Sequence, residues 1–231
     1  MKKTKIVATL GPASSGKDTL RQMMLAGLNV CRLNFSHGAY ADHEACVTTI
    51  RELNEELGLN VAILADLQGP KIRTNDMENN GVLLVVGSEI KVLVEKVIGN
   101  AERFSINYPK LPQDVSVGER ILLDDGKIML EVLETNKTTE IRCKIIQGGI
   151  LSSKKGVNFP NTKISLPSLT EKDQEDLEFA LDQEVDWIGL SFVRSAKDII
   201  ELKQRIAKRG AKAKVIAKIE KPEALENIDD I

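Results

Sequence analysis

The sequence predicts an α/β fold, in which a parallel sheet is covered by helices and an all-β segment is inserted after the third strand. Three observations predict it. Strand and helix patterns alternate over residues 1–66 and resume over residues 168–231, whereas roughly residues 71–166 contain strand patterns alone. The alternating parts supply five strands, three fewer than a (β/α)8 barrel requires. The sheet is therefore either open or part of the barrel of a longer protein.

The first alternating part contains three predicted strands and two predicted helices. Each helix has an apolar stripe at 3.6-residue spacing and stops at a glycine, Gly27 or Gly58, because glycine readily adopts the left-handed backbone that ends a helix. In chain order, these elements are a strand over 5–10, a helix over 17–26, a strand over 30–35, a helix over 41–57 and a strand over 61–66.

The inserted segment consists of short apolar runs separated by turn residues. The runs cover residues 82–86, 90–97, 120–134 and 138–146. Asp125 and Gly126 interrupt the third run and predict a hairpin, since glycine tolerates the positive φ that a tight turn demands. Short strands in this arrangement favour a small β-barrel or sandwich.

The strand and helix alternation resumes after the insert. Thr170 followed by Asp173 resembles a helix-start box, and Gly210 closes the next helical stripe. Pro222 suits the first turn of a further helix, because the N–H that proline lacks needs no partner there. The two remaining strands are predicted over 187–193 and 214–220.

Composition and charge exclude several classes of protein. The 231 residues are 42% hydrophobic and 29% charged, with a net charge of −2, so no bulk charge favours nucleic acid or an acidic membrane surface. No apolar stretch approaches the ~20 residues that a membrane span needs. Three widely spaced cysteines, Cys31, Cys46 and Cys143, favour reduced thiols. We expect a cytoplasmic protein that binds neither nucleic acid nor membrane.

Polar side chains stand at the carboxyl ends of three predicted strands. Residues two apart share a face of a strand, so Arg32 and Asn34 lie together on the second strand. Asp66 ends the third strand, and Lys218 shares a face with Glu220 at the end of the fifth. In barrels and in open α/β sheets this end of the strands carries the ligand site. The sequence therefore predicts a charged site there.

The residue types in this predicted site suit phosphoryl transfer, in which catalysis is mainly positioning and charge neutralisation. Arg32 offers a planar fork for phosphate or carboxylate, and Lys218 offers a point charge. The carboxylate of Glu220 can hold a hard cation such as Mg²⁺. The alternative is structural: Lys218 and Glu220 form an ion pair, while Asn34 and Ser36 cap a turn.

Two other patterns give weaker indications. Residues 11–18, GPASSGKD, fit part of a phosphate-binding loop, but an aspartate ends the stretch where that motif needs Ser or Thr for Mg²⁺. Ser14 or Ser15 as a helix cap explains the stretch better. His37 and His43 have no Cys or His partner at zinc-ligand spacing, so we expect loop positions for both.

The motifs of this chain resemble the pyruvate kinase family from end to end. The stretches that carry the resemblance are KIVATLGPASS, NVCRLNFSHG, ILADLQGPKIRT, LDDGKI, KKGVNFP, LPSLTEKD, LSFVRS and VIAKIEKPEAL. The resemblance implies a (β/α)8 TIM-type barrel, incomplete in this chain and interrupted after its third strand by a mobile all-β lid domain. It implies the first part of the barrel over 1–70, the lid over 71–166 and the continuation of the barrel over 167–231.

The resemblance also implies the family's reaction and the roles of individual residues. In glycolysis the family transfers the phosphoryl group of phosphoenolpyruvate to ADP, giving pyruvate and ATP, with Mg²⁺ (or Mn²⁺) and usually K⁺. Arg32 matches the arginine that holds the transferring phosphate, and Lys218 matches the lysine that stabilises the transition state. Glu220 matches a Mg²⁺ ligand, and Asp125 matches an acidic lid residue associated with closure. The positions that contact the nucleotide are matched by Asn34, Ser36, His37, Arg73 and Lys155.

The potassium site of the family is matched only in part. Asn34, Ser36 and Asp66 stand at three of its four positions. Where the potassium-using pattern has Thr and then, after Gly-Pro, Glu, this chain has Leu67 and Lys71. The side chain of Leu67 cannot coordinate K⁺, and Lys71 brings a tethered ammonium to the neighbourhood of the ion. The chain therefore resembles the potassium-independent branch of the family.

The resemblance implies further segments of the full-length protein. The family's next strand supplies a second acidic Mg²⁺ ligand, and a C-terminal domain serves assembly, which implies a homotetramer. We therefore expect the 231-residue chain by itself to be inactive and prone to association. Two other functions stay open: a non-catalytic relative that binds nucleotide or phosphate, and a Mg²⁺-dependent lyase on a related barrel. The lid argues against the lyase, which has no need of an ADP clamp.

Overall fold

A computed structural model describes residues 3–231, which divide into two compact units. The first unit is discontinuous in sequence and combines the chain up to Pro70 with the chain from Pro167 onward. The second unit is the continuous segment Lys71–Leu166. Each unit is built around a hydrophobic core of its own.

The first unit begins with alternating strands and helices, as the sequence predicts. Leu20 and Met24 bury one face of the first helix, and Ile50 and Leu53 bury one face of the second. Gly58 ends the second helix in the left-handed conformation, with φ of 62°. The elements are β1 (Val7–Thr9), α1 (Lys17–Leu25), β2 (Val30–Asn34), α2 (Tyr40–Leu57) and β3 (Ala62–Asp66).

The second unit consists of strands, one four-residue α-helix and a short 3-10 helix over Glu78–Asn80, as expected for the all-β insert. Its elements are β4 (Gly81–Leu84), β5 (Glu89–Leu93), β6 (Arg103–Ser105), α3 (Leu111–Asp114), β7 (Arg120–Leu123), β8 (Ile128–Thr135), β9 (Glu140–Gln147), β10 (Gly149–Ser152) and β11 (Val157–Asn158).

The first unit resumes with the predicted alternation. The predicted helix start is confirmed, because the backbone N–H of Asp173 donates to Thr170 Oγ1 at 3.1 Å and the Asp173 carboxylate accepts from the Thr170 backbone. Pro222 opens the last helix, as predicted. The elements are α4 (Glu171–Asp182), β12 (Trp187–Leu190), α5 (Ala196–Lys208), β13 (Lys214–Ala217) and α6 (Pro222–Glu226).

The sheet of the first unit has five parallel strands in the order β1-β2-β3-β12-β13. Spatial order therefore follows sequence order, with β3 pairing directly with β12 although the whole second unit lies between them in sequence. The predicted parallel sheet is confirmed. Because all five strands run the same way, their carboxyl ends lie along one edge of the sheet.

All five strands of the first unit are shorter than the sequence predicts, and the last two each lose three residues at the carboxyl end. The strand predicted over 187–193 ends at Leu190, since Phe192 has a φ of 55° and turns the chain out of extended geometry. The strand predicted over 214–220 ends at Ala217. The backbone of Lys218 still pairs across the sheet, because its N–H donates to the Leu190 carbonyl at 3.0 Å. The charged residues at this end therefore lie just beyond the strand.

The predicted serine cap of the first helix is wrong. The residue that precedes α1 is Gly16, and no side chain caps the helix there. The hydroxyl of Ser14 instead accepts from the backbone N–H of Gly11 at 3.1 Å, because the loop after β1 folds back on itself. Residues 11–16 thus form a self-bonded turn and then enter the helix.

The second unit contains a six-stranded sheet, ordered β11-β7-β8-β9-β5-β6, and a separate antiparallel pair, β4 with β10. The predicted hairpin is confirmed: β7 and β8 are antiparallel and Leu123 pairs with Ile128. Asp124, Asp125 and Gly126 in the connecting turn all have positive φ, of 49°, 57° and 85°.

The three cysteines are all free thiols, with Cys31 and Cys143 buried in the two cores. Burial raises the pKa of each of these two thiols to about 12, so both stay protonated at neutral pH. None of the helices within residues 3–231 combines the length and the apolar run that a membrane-spanning segment needs.

Candidate active site

The carboxyl ends of β2, β3 and β13 bring four charged side chains of the first unit together. Arg32 lies on β2, and Asp66 is the last residue of β3. Lys218 directly follows β13, with Glu220 shortly after it. The structure therefore joins the charged residues that the sequence places at the ends of separate strands.

Asp66 is the centre of this cluster and its most buried member. Its side chain is 4% exposed. Arg32 Nε donates to Asp66 Oδ2 at 2.7 Å, and the Nη2 group of the same guanidinium binds the same oxygen. Lys218 Nζ lies 3.1 Å from Asp66 Oδ1 and 3.3 Å from Oδ2. Two cations thus share one buried carboxylate, and their attraction to it offsets the free-energy cost of burying the Asp66 charge.

The cluster leaves one oxygen of Asp66 incompletely satisfied. Among residues 3–231, no donor makes a well-directed hydrogen bond to the buried Oδ1, although Lys218 Nζ lies 3.1 Å away. The contact is therefore an ion pair and does not meet hydrogen-bond geometry. Lys218 Nζ uses two of its three N–H groups on Asp66 Oδ2 and Ser191 Oγ, which leaves one N–H for an incoming anion.

Two hydroxyl groups that sequence reasoning missed complete the contacts of the cations. Lys218 Nζ donates to Ser191 Oγ at 2.8 Å, and Ser191 Oγ donates in turn to the Leu67 carbonyl at 2.7 Å. Arg32 Nη1 donates to Thr9 Oγ1 at 2.6 Å. Ser191 follows β12 and Thr9 ends β1, so both stand at the same edge of the sheet as the charges. A search for polar residues at all five strand ends would have found them.

Gly189 makes room for the Asp66 carboxylate. The two residues are partners in the β3–β12 register, and a Cβ on Gly189 would lie 3.0 Å from Asp66 Oδ1. That approach is closer than side chains normally tolerate in a packed interior. Sequence reasoning missed Gly189, because a glycine inside an apolar strand carries no sign of what its missing side chain admits.

We expect Gly189→Ala to lower the free energy of unfolding by about 1–3 kcal/mol, the range for overpacking a tight interior. The displaced Asp66 carboxylate would also move Arg32 and Lys218. Urea-induced unfolding of the full-length gene product measures the change. Gly11→Ala is the matched control, since a Cβ there meets nothing within 4 Å. Equal stability of the two variants would contradict the steric argument.

Glu220 is the member of the cluster best placed to bind a metal ion. Its Oε2 accepts from the Phe192 backbone N–H at 3.0 Å, and its Oε1 lies 3.4 Å from Lys218 Nζ. The carboxylate is 36% exposed, so lone pairs stay accessible. Within residues 3–231, no group of three or more His, Cys, Asp or Glu side chains is arranged to hold a metal. The Glu220 carboxylate could therefore supply one oxygen ligand to Mg²⁺ from this part of the chain.

The loop after β2 adjoins a cavity of about 720 Å³. Asn34 Oδ1 accepts from the Ser36 backbone N–H at 3.1 Å, and the Asn34 carbonyl accepts from the His37 N–H at 3.1 Å. Asn34 and His37 line the cavity together with residues of the loop after β1 and of α2. The volume suits a group the size of a nucleoside.

The expected loop position of His43 is wrong, whereas His37 does lie in the loop after β2. His43 belongs to α2, is 7% exposed and stacks on Phe35 with ring centroids 4.4 Å apart. Its Nε2 lies 3.1 Å from the His37 carbonyl oxygen. Burial lowers the pKa of His43, which keeps the ring neutral at pH 7. His43 is therefore a buried residue of the first unit, and it holds the loop after β2 through its contacts with Phe35 and with the His37 carbonyl.

The remaining predicted site residues belong to the second unit. Lys155 Nζ lies 2.9 Å from Asp124 Oδ1, and Arg73 donates to the Lys154 carbonyl at 2.8 Å. Hydrogen bonds from Lys155 and then from Lys127 lower the pKa of Asp124. Asp125, which the sequence singles out, is exposed in the hairpin turn, while its neighbour Asp124 holds Lys155. Sequence reasoning missed Asp124 because adjacent aspartates look equivalent until the turn is built.

Comparison with known proteins gives concordant matches. A family model described as the pyruvate kinase barrel domain matches residues 1–231. Curated relatives named pyruvate kinase are 47% identical in Geobacillus stearothermophilus, 46% in Bacillus licheniformis and 43% in Staphylococcus epidermidis. Each match covers 100% of this chain and 40% of the relative. The chain thus spans about 40% of the length of the curated relatives it matches.

Proposed function

The chain belongs to the pyruvate kinase family, its parallel sheet and helices forming part of that family's α/β barrel, and on that premise we propose that the full-length protein transfers a phosphoryl group from phosphoenolpyruvate to ADP. The products are pyruvate and ATP. The observation that carries the proposal is the pair of cations, Arg32 and Lys218, held by the one buried carboxylate of Asp66 at the ligand-binding edge of the sheet.

Arg32 and Lys218 have complementary roles in this proposal. The guanidinium uses part of its fork on Asp66 and Thr9 and is 29% exposed, which leaves edges for the transferring phosphate. The Lys218 ammonium, 28% exposed, neutralises charge that develops on the phosphoryl oxygens and on the leaving enolate oxygen. Because Asp66 holds both cations, Thr9 also holds Arg32 and Ser191 also holds Lys218, little reorganisation accompanies the reaction.

Mg²⁺ (or Mn²⁺) is the proposed metal, with Glu220 as the ligand that this chain supplies. A divalent cation would draw the phosphate and carboxylate oxygens of the substrates toward one point. Glu220 is held by the Phe192 N–H and so is aimed before metal binds. Glu220 Oε1 lies 3.4 Å from Lys218 Nζ, which supports a role for both side chains at the same reacting group.

The nucleotide is proposed to bind through Asn34, Ser36 and His37 beside the cavity of the first unit. The self-bonded loop after β2 presents these residues in a fixed conformation, which limits the ordering cost of binding. Arg73 and Lys155 of the second unit are proposed as further nucleotide contacts, and Asp125 as a residue of lid closure. Asp124, which holds Lys155, would then compete with the nucleotide phosphates for that ammonium.

The test is formation of pyruvate by the full-length gene product with phosphoenolpyruvate, ADP and Mg²⁺. We expect pyruvate and ATP in equal amounts, and no turnover after Mg²⁺ is removed by a chelator. Binding of ADP without turnover would overturn the proposal in favour of a non-catalytic nucleotide-binding protein. Absence of turnover with phosphoenolpyruvate, together with Mg²⁺-dependent cleavage of a 2-oxo acid, would favour the lyase.

We also propose that the enzyme needs no added K⁺. Leu67 follows Asp66 directly, and its side chain is 1% exposed within the hydrophobic core, so it offers no oxygen to an ion. Lys71, by the family pattern, supplies a tethered cation instead. We expect full activity in tetramethylammonium buffer and expect Lys71→Glu to require KCl, with a stimulation of about tenfold or more, equivalent to about 1.4 kcal/mol.

The control for this prediction is Lys91→Glu, a charge reversal at an exposed lysine of β5 that pairs with Glu140. It should leave the potassium response unchanged. Strong activation of the unaltered enzyme by KCl would contradict the prediction. The homotetramer and the cytoplasmic location also remain proposals, for which family membership is the support.

A further inference from the structure

Helix α4 carries two fully buried carboxylates that the proposed reaction does not use, Asp173 and Asp176, each 0% exposed. Asp173 has a local explanation, because it closes the capping box with Thr170 and accepts from the Gly69 backbone N–H at 2.9 Å. Asp176 lies in the middle of the helix and caps nothing. Burying an ionised carboxylate is costly, and an apolar residue at such a site is often equally stable or more so. Stability alone therefore does not account for Asp176.

The contacts of Asp176 lead to both ends of one loop. Tyr40 Oη donates to Asp176 Oδ1 at 2.8 Å, and Lys172 Nζ lies 2.5 Å from Asp176 Oδ2. The same Lys172 ammonium donates to the carbonyl oxygen of Phe35 at 2.9 Å. Phe35 and Tyr40 bracket the segment that contains Ser36 and His37. We call residues 35–40 the β2–α2 loop.

Ring packing explains why these two anchors hold the loop firmly. Tyr40 stacks on Phe179 of α4 with ring centroids 4.6 Å apart, and Phe35 stacks on His43 at 4.4 Å. Burial, followed by the hydrogen bond to Asp176, raises the pKa of Tyr40 to about 12, so the hydroxyl remains a donor at neutral pH. Each end of the β2–α2 loop is thus fixed by a ring contact and by a polar contact that leads to Asp176.

We propose that Asp176 is a positioning residue, which acts through Tyr40 and Lys172 to hold the β2–α2 loop in the conformation that receives the nucleotide. The inference rests on the proposed function, since it takes this loop as the nucleotide contact. At the start of the loop, Asn34 Oδ1 and the Asn34 carbonyl, at the end of β2, accept from the Ser36 and His37 N–H groups. Those bonds shape the turn, whereas α4 fixes its ends against the body of the unit.

Asp176→Ala in the full-length gene product removes the acceptor of the Tyr40 hydroxyl and the carboxylate that holds the Lys172 ammonium beside the Phe35 carbonyl, and it leaves no buried charge. We expect the Kd and the KM for ADP to rise about tenfold, the scale of a lost charge-assisted hydrogen bond. The KM for phosphoenolpyruvate and the kcat at saturating ADP should stay within about twofold, because Arg32 and Lys218 are anchored separately. Asp182→Ala on the same helix is the matched control: its side chain is 63% exposed, pairs with Arg209 and should change neither quantity.

Tyr40→Phe keeps the ring stacked on Phe179 and removes a single hydrogen bond, so it tests the proposal in a protein that retains its fold. We expect a rise in the Kd for ADP of about threefold. Because Tyr40 acts through Asp176, the same change should add nothing in the Asp176→Ala background. Additive effects, or a loss of thermal stability with an unchanged Kd for ADP, would overturn the proposal.

Hydrogen exchange separates this proposal from the function on which it rests. The backbone N–H groups of Ser36, His37 and Ala39 are hydrogen-bonded and should exchange faster in Asp176→Ala and in Tyr40→Phe, but not in Asp182→Ala. Unchanged exchange at these amides would overturn the anchoring role whatever the protein binds. Failure of the unaltered protein to bind ADP would instead refute the proposed function, and the exchange rates would still decide the role of Asp176 in fixing the loop.

Discussion

Replacing Lys218 by methionine is expected to lower the kcat for phosphoryl transfer by about 10²–10³-fold, the loss typical of one preorganised electrostatic contact. Methionine keeps the length of the side chain and removes the ammonium that Asp66 and Ser191 hold in place. The KM for ADP should change little, since the proposed nucleotide contacts are other side chains, namely Asn34, Ser36, His37, Arg73 and Lys155. A coupled assay of pyruvate formation measures both parameters.

The matched control is Lys214→Met. Lys214 is the first residue of β13, and Lys218 directly follows the last residue of the same strand. Lys214 is exposed, and its Nζ lies 5.4 Å from the centre of the Trp187 ring, away from the charged cluster. It should retain full activity. A Lys218→Met enzyme whose kcat stays within about tenfold of the unaltered enzyme would contradict the role proposed for this ammonium.

Asp66→Asn is expected to lower the free energy of unfolding by about 3 kcal/mol, the scale for breaking a buried ion pair by removing one partner. The amide keeps the shape of the carboxylate, but Arg32 and Lys218 lose the charge they share and repel each other. The kcat should fall as well, because both cations lose their fixed positions. Urea-induced unfolding and the pyruvate assay, carried out on one preparation, measure the two effects together.

Glu201→Gln is the control for this prediction. Glu201 pairs with Arg205 on the exposed face of α5, and such surface pairs contribute little to stability. Added salt should restore part of the lost stability of Asp66→Asn by screening the two uncompensated cations. An Asp66→Asn protein as stable and as active as Glu201→Gln would show that Asp66 does not hold the cluster.

Much of the fold follows from local patterns in the sequence. The Thr170 and Asp173 box, the stop at Gly58 and the hairpin at Gly126 are each set by the conformational preference of a residue and its neighbours. The parallel sheet follows from alternation of strand and helix patterns. The charges at strand ends could be assigned to one site because parallel strands end at a common edge.

The residues that sequence reasoning missed act through close approach in space. Gly189 matters because Asp66 Oδ1 fills the space of its absent Cβ, and Ser191 because its hydroxyl reaches both Leu67 and Lys218. Neither contact leaves a periodic pattern along the chain. In the sequence Asp176 is one more polar residue of a helix, because its partner Tyr40 lies 136 residues earlier in the chain.

The pairing of β3 with β12 determines the order in which the chain can fold during synthesis. The second unit is continuous in sequence, so its core is complete when residue 166 has left the ribosome. The Asp66 side chain meets Gly189 and Lys218 only after those later residues emerge. Domains generally fold as units, and N-terminal parts fold first during synthesis. The second unit can therefore fold before β12, the fourth strand of the first unit's sheet, has been synthesised. Until β12 is synthesised, one edge of β3 is unpaired, and such an edge can pair with strands of other chains. Rapid synthesis of β12 therefore protects the nascent chain from this association.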